Sequence, residues 1–128
     1  LAINTMPIQF TSKIEEDIHI FTVTGDGNSL ENAVNYSTSL IAEAQQSNSQ
    51  KILCDERGLE LTLSTADIYT LAELTAKMLS SSSARIAVIY KPEYLEKCRF
   101  YETVTGNRGL LVHINTDYDE ALAWLKKH

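Results

Sequence analysis

The sequence predicts a single α/β domain built on a mixed, mainly parallel sheet of about five strands with four main helices. Segments with the two-residue apolar period of strands alternate along the chain with segments that have the 3.6-residue period of helices. A helix-start signal precedes each helical segment. The length of 128 residues suits one domain, and 44% hydrophobic with 22% charged residues is a globular composition. The predicted order is β-β-α-β-α-β-α-β-α, which calls for right-handed crossovers.

The first two strands are predicted to form a hairpin. Ile8 and Phe10, and then Ile18 and Ile20, have the even spacing of a strand. The acidic residues 15–17 between these segments predict the turn that joins them. A hairpin makes its strands antiparallel, so the sheet is expected to be mixed. The segment Gly25-Asp26-Gly27 is expected to break the second strand.

A helix and a short buried strand are predicted next. Asn28, with Glu31 three residues later, resembles a capping box, and apolar residues follow at helical spacing as far as Ala44. The short run Lys51-Ile52-Leu53-Cys54 predicts a buried strand that stops at Asp55.

The remaining elements continue the same alternation. Two apolar runs predict strands at 86–90 and 110–114. Three helix-start signals flank these runs: Ser64 with Asp67, Pro92, and Thr116 with Asp119.

Composition excludes several classes of protein. The 11 basic and 17 acidic residues give a net charge of −6, which argues against a nucleic-acid-binding surface or a basic membrane patch. Two cysteines, Cys54 and Cys98, cannot build a disulfide framework and indicate a reducing, cytoplasmic setting. No apolar run reaches the length of a membrane span. Residues 1–5 are interpreted as a leader or expression scar, so the domain is expected to cover 6–128.

Three segments resemble STAS domains, the fold of anti-sigma-factor antagonists. Residues 22–30 read Thr-Val-Thr-Gly-Asp-Gly-Asn-Ser-Leu, which is similar to the passage from strand to helix in that family. Residues 53–60 resemble its strand that ends in Leu-Asp and is followed by a turn glycine, an apolar residue and Glu. Residues 116–122 are similar to its closing segment. Over residues 7–126, the order of the predicted elements is similar to that of the family, which implies the STAS fold.

The chain departs from the family at one functional motif. Regulated STAS proteins carry the signature D-S-[S/T]-G, in which a partner kinase phosphorylates the second hydroxyl residue. The matching positions here are Leu63, Ser64, Thr65 and Ala66, so the hydroxyls are present without the flanking Asp and Gly. Ser64 and Thr65 are therefore candidates for a partner-binding or phospho-acceptor site at a helix N-terminus, where a phosphate would meet free amides. The alternative is that Ser64 is simply an N-cap.

The C-terminal half resembles a narrower group, the small stand-alone bacterial STAS/SEC14-like proteins. Residues 99–102, 107–109 and 121–125 carry this likeness. The resemblance implies a shared fold and no established activity. Because SEC14-type relatives bind lipids in apolar pockets, it also suggests ligand binding as a second class of function.

Four polar residues near the end of the third helix are candidates for a ligand pocket: Tyr101, Glu102, Asn107 and Arg108. At 100° per residue, Glu102 falls on the apolar side of its helix, where an unpaired carboxylate is costly to bury. The residues either line a polar pocket, or Glu102 forms a structural ion pair with Arg108 just beyond the helix end.

No catalytic or metal-binding constellation is predicted. The histidines have no metal-ligand spacing, and no cofactor motif is complete: residues 25–28 contain only G-x-G, with Asp26 unfavourable for an anion. Cys98 is interpreted as a small buried side chain rather than a nucleophile.

The expected function is therefore a non-enzymatic, cytoplasmic module that binds a protein partner, possessing no intact STAS phosphorylation signature. Its binding edge is expected at the loop 56–63 and the helix start 64–68. The alternative is a small-molecule or lipid-binding protein with an apolar pocket. A homodimer is compatible with a small acidic domain, whereas no nucleic acid, stable membrane insertion, metal or cofactor is expected.

Overall fold

The computed structural model describes residues 7–127 and confirms the predicted α/β class. The strands are β1 (Ile8–Glu15), β2 (Ile18–Gly27), β3 (Lys51–Leu61), β4 (Arg85–Ile89) and β5 (Leu111–Asn115). The helices are α1 (Leu30–Gln46), α2 (Thr65–Met78), α3 (Leu95–Gly106), which follows a 3₁₀ turn at Pro92–Tyr94, and α4 (Tyr118–Lys127). The predicted leader, residues 1–5, lies outside the described residues.

The five strands lie side by side in chain order, β1-β2-β3-β4-β5. The hairpin pair β1–β2 is antiparallel, and the other three pairs are parallel. Because β2 to β5 run the same way, they all end at one edge of the sheet, and each of the four helices begins there. We call this the carboxyl edge; it brings together segments that are far apart in sequence.

The sheet has a core on each face. On one face, α1, α2 and α3 cover the larger core, whose members include Phe21, Leu40 and Val88. On the other face, α4 covers a smaller core with Ala121 and Leu125, both fully buried. Right-handed crossovers that always step in the same direction place their helices on the same face, which explains why only the terminal α4 lies opposite.

The second and third strands are longer than predicted. β2 continues through the two glycines to Gly27, and β3 continues past Asp55 to Leu61, so that the two pair in parallel over their whole length. A register shift between Thr22 and Thr24 accommodates Gly58. A Cβ atom at Gly58 would lie 2.8 Å from the Val23 carbonyl oxygen. The glycine therefore permits a close approach of the strands instead of making the predicted turn.

Two helix caps lie one residue beyond their predicted positions. The N-cap of α1 is Ser29, whose hydroxyl accepts a hydrogen bond from the Asn32 amide at 3.1 Å. Asn28 is instead held by the Asp26 carboxylate, which accepts from the Asn28 amide at 2.9 Å. At α4, Asp117 rather than Thr116 accepts from a first-turn amide.

Candidate functional site

Ser64 and Thr65 lie at the carboxyl edge, at the start of α2, and both are exposed. The Ser64 hydroxyl accepts a hydrogen bond from the Asp67 amide at 3.1 Å, so Ser64 is the N-cap of α2 as its sequence pattern indicates. Thr65 is the first residue of the helix. Just before them, Leu63 is 1% exposed and anchors the helix start in the larger core. An apolar anchor thus occupies the place of the Asp in the STAS signature.

The expected binding loop 56–63 is mostly strand. Residues up to Leu61 belong to β3, and β4 pairs with β3 only as far as Asp55. The end of β3 therefore projects beyond its neighbour on that side. Lys91 and Tyr94 close over it by donating hydrogen bonds to the Glu60 carboxylate at 2.8 and 3.1 Å.

The carboxyl edge is rich in acidic groups. Each of the four helices has an acidic residue in its first turn, where carboxylates favour the positive end of the helix dipole: Glu31 in α1, Asp67 in α2, Glu96 in α3, and Asp119 with Glu120 in α4. Asp26 and Asp117 add to the negative charge at the strand ends. Arg57, Lys91 and Lys97 lie at the same edge, where they contact Asp55, Glu60 and the Leu63 carbonyl and neutralise part of this charge.

The structure does not gather the four predicted pocket residues into one site. Tyr101 points into the core between the sheet and the helices and lines a cavity there. Glu102 lies on the side of α3 that faces β5, and its carboxylate accepts from the Ile114 amide at 2.6 Å. Asn107 is the exposed C-cap of α3. The structure therefore does not assemble the predicted pocket at this helix end: Tyr101 lines the internal cavity, and Arg108 lines a separate pocket on the surface of α2 with Thr70 and Glu73.

The alternative for Glu102, an ion pair with Arg108, is also wrong. The Arg108 guanidinium donates to Glu73 at 2.9 Å and to the Tyr69 hydroxyl at 3.1 Å, both on α2. Glu102 instead contacts β5, the edge strand, whose outward-facing amides have no neighbouring strand to bond with. Its carboxylate also lies 3.6 Å from the His113 ring. Because α3 packs between α2 and β5, the Arg108 side chain reaches α2 and the Glu102 side chain reaches β5.

A cavity of about 70 Å³ lies inside the larger core, between the sheet and helices α1, α2 and α3. Its walls are mainly apolar and include Leu40, Leu59, Leu61, Ile68 and Val88. Polar atoms enter it from several elements: Tyr36 from α1, Glu56 from β3, Thr75 from α2, Tyr90 from the end of β4, and Tyr101 from α3.

Glu56 is the charged residue of this cavity and is 7% exposed. Its carboxylate accepts a hydrogen bond from the Tyr36 hydroxyl at 2.6 Å, and Tyr90 donates a second one. Burial raises the pKa of Glu56 to about 7, although the two tyrosine hydrogen bonds oppose that rise. Near neutral pH, the cavity therefore holds a carboxyl group that is about half ionised.

The other reactive groups near Glu56 are kept in their protonated forms. Burial raises the pKa of Cys98 to about 12 and that of Cys54 well above its usual value, and the nearby Glu56 raises both further. Burial likewise raises the pKa of the Tyr36 and Tyr90 hydroxyls. The thiols are therefore poor nucleophiles, which agrees with the expectation of a small buried side chain at Cys98.

A separate cluster fastens the end of α1 to β2. The His19 ring is 3% exposed, stacks on Phe21 at 4.2 Å, and places Nδ1 2.7 Å from the Ser49 hydroxyl. Its Nε2 atom lies 3.4 Å from the Glu43 carboxylate. This order of contacts resembles that of a hydrolytic triad, but the ring is sealed under α1 against Phe21. We interpret the cluster as a structural link between helix and strand.

Sequence reasoning missed Glu56 because β3 was expected to stop at Asp55. A signal was available in the alternation of the strand: Ile52, Cys54 and Glu56 are two residues apart and therefore share a face. Extending the strand by one residue would have placed a carboxylate on its buried side.

Neither a membrane-spanning helix nor a metal-binding cluster is found in the described part of the chain. Within residues 7–127, no helix combines the length and apolarity needed to cross a bilayer. Over the same range, no group of three or more His, Cys, Asp or Glu side chains is arranged to hold a metal ion.

Comparison with known proteins identifies the fold. No protein-family model and no curated protein match this chain. Among solved structures, it is similar to an anti-sigma factor antagonist from Mycobacterium paratuberculosis, with a TM-score of 0.61 and 15% identity over 93% of this chain and 94% of the other. It is also similar to an uncharacterized DUF3478-family protein with a SpoIIAA-like fold from Shewanella loihica PV-4, with a TM-score of 0.56 and 19% identity over 98% of both chains. The chain is thus a small STAS-like α/β domain with the SpoIIAA-like fold.

Proposed function

We propose that this protein is a non-enzymatic, cytoplasmic regulatory module that binds a protein partner through its carboxyl edge. The observation that supports this most directly is the exposed start of α2, where Ser64 and Thr65 present two hydroxyl groups beside the acidic strand ends. One solved structure with this fold is described as an anti-sigma factor antagonist, which is consistent with a role in protein–protein regulation.

The charge of the carboxyl edge indicates the kind of partner. Acidic first turns on all four helices favour a basic protein surface and would repel nucleic-acid phosphates. Phosphorylation of Ser64 or Thr65 would add further negative charge at the helix N-terminus. Binding is therefore expected to weaken as ionic strength rises.

The proposal is tested by photo-cross-linking in cells. A cross-linking residue at Ala66, exposed beside Ser64 and Thr65, should capture a specific protein, whereas one at Ser82, beyond the opposite end of α2, should not. Ser64→Glu and Thr65→Glu should each change the yield, with Ser81→Glu as the matched control. Equal capture from both positions, or capture insensitive to both edge variants, contradicts the proposal. Capture of a second copy of this chain would identify a homodimer as the complex.

A second function, binding of a small molecule, is favoured by one specific observation. The larger core contains a cavity with apolar walls and a buried carboxyl group instead of close packing. Protein interiors contain few voids larger than a water molecule, and buried carboxyl groups without a cation are costly. A ligand in the cavity would account for both features.

A further inference from the structure

The polar groups that enter the cavity are acceptors or neutral donors. Among the described residues that line it, none is Lys, Arg or His. The titratable groups that face Glu56 come from α1, β3, the end of β4, and α3, and they are all acidic or neutral: Tyr36, Cys54, Asp55, Tyr90, Cys98 and Tyr101. The cavity therefore holds a carboxylate whose charge no cation of the protein balances.

Thr75 provides a second, independent sign of an unfilled site. It lies in the middle of α2, is 4% exposed, and lines the same cavity as Glu56. The Tyr101 hydroxyl interacts with the Thr75 hydroxyl, but within the described part of the chain no hydrogen bond of standard geometry reaches the Thr75 oxygen. Buried hydroxyls nearly always have a full partner, so this oxygen can accept a further hydrogen bond from a ligand.

The size of the cavity limits the ligand. Its volume of about 70 Å³ is roughly half that of a 150 Å³ apolar cavity known to admit benzene. A ligand whose apolar part is a methyl or ethyl group therefore fits this space among the surrounding leucine, isoleucine and valine side chains.

We infer that the cavity binds a small primary alkylammonium ion, with its N–H groups on the Glu56 carboxylate and the Thr75 hydroxyl and its alkyl group among the apolar walls. This inference rests on the second function proposed above. A primary ammonium carries three donors and no acceptor, which complements a set of acceptors with an unbalanced negative charge. When Glu56 is ionised, two tyrosine hydroxyls donate to it but no cation of the protein balances its charge, and a cationic ligand would provide that partner.

The inference carries a defined pH dependence. The ammonium requires ionised Glu56, whose pKa burial raises to about 7. The apparent affinity should therefore be nearly full near pH 8 and about tenfold weaker near pH 6. A neutral ligand of the same shape should show no such dependence on Glu56 ionisation.

The test is an NMR titration of the full chain with three ligands that share one ethyl group: ethylamine, ethanol and propionate. Near pH 8, ethylamine should shift the amide signals around Thr75 and bind at least tenfold more tightly than the other two. Glu56→Gln should weaken amine binding about tenfold or more. Thr75→Val, which keeps the shape, should also weaken it. Glu60→Gln is the matched control, because it removes the same charge from an exposed position on the same strand.

Each of the following outcomes would overturn the ammonium inference. Equal binding of amine and alcohol, or tightest binding of propionate, overturns the ammonium inference and leaves small-molecule binding in place. Binding that is unchanged by Glu56→Gln overturns it as well. If none of the three ligands perturbs the cavity signals, both the inference and the second function are overturned.

Discussion

At the scale of single residues, Glu56 makes the stability of the protein depend on pH. The carboxyl group is buried against Tyr36 and Tyr90, and its pKa rises from 4.5 to about 7 on folding. The folded state therefore binds the proton more tightly than the unfolded state does. Stability is greatest below about pH 4.5 as far as this group is concerned, falls between 4.5 and 7, and stays lower above 7.

Glu56→Gln should remove this loss. The pKa rise from 4.5 to about 7 corresponds to roughly 3 kcal/mol, and glutamine cannot ionise. We expect the variant to gain roughly 3 kcal/mol over the wild type near pH 8, relative to the difference between the two proteins near pH 4. Urea unfolding at a series of pH values measures this difference.

Glu60→Gln is the control that distinguishes the effect of burying a carboxyl group from the effect of removing its charge. Hydrogen bonds from Lys91 and Tyr94 lower the pKa of Glu60, so its ionised form favours the folded state. This variant should therefore show no stabilisation at high pH. A gain at Glu60 like that at Glu56, or no pH-dependent gain at Glu56, would show that Glu56 is not titrating as a buried acid.

At the scale of elements, the long pairing of β2 with β3 shapes the carboxyl edge. β3 extends from Lys51 to Leu61 because Gly58 lets it pass close to β2 at the register shift. The extension carries Glu56 into the core and brings Leu63 to the start of α2. Without it, neither the cavity nor the exposed α2 N-terminus would have its present position.

Gly58→Ala should therefore destabilise the protein. The new Cβ atom would lie 2.8 Å from both the Val23 carbonyl oxygen and a Thr24 methyl group, and such overpacking costs about 1–3 kcal/mol. Gly106→Ala is the matched control, because nothing lies within 4 Å of a Cβ atom there. In the last position of α3 the control should gain up to about 1 kcal/mol. Thermal unfolding measures the stability of both variants. Equal melting temperatures would contradict the close approach of β3 to β2 at Gly58.

At the scale of the whole molecule, the sheet separates two cores. The larger core with the cavity lies under α1, α2 and α3, and the smaller core lies under α4 alone. Leu125 is fully buried in the smaller core, and Glu56 is buried in the larger one. The two residues share no packing layer, so each contributes to stability through its own side of the sheet.

Leu125→Ala should cost about 2–5 kcal/mol, as buried leucine truncations do. Combined with Glu56→Gln near pH 8, the two changes should add within about 0.5 kcal/mol, because residues without shared partners behave independently. Equilibrium unfolding of both single variants and the double variant provides the thermodynamic cycle. A larger coupling energy would show that the two faces communicate through the sheet.

Much of the architecture was predictable from local pattern. The apolar period distinguishes strand from helix, because side chains alternate across a strand and return every 3.6 residues on a helix. The cap at Ser64 was also predictable, since its serine and the Asp67 amide are three residues apart. The two glycines near residue 25 and the one at 58 misled the prediction, because glycine also serves where two strands approach closely.

The sequence by itself determined the order of elements, the net charge and the helix starts, because these follow from neighbours within one or two turns of chain. Only the tertiary structure decided which polar groups meet. Arg108 pairs with Glu73, 35 positions away, and Glu102 with an amide of β5, since the packing of α3 orients the two side chains differently. The cavity around Glu56 likewise arises from seven elements, β1 to β4 and α1 to α3, that converge only in the folded chain. Burial there changes the chemistry of a carboxyl group that looks ordinary in the sequence.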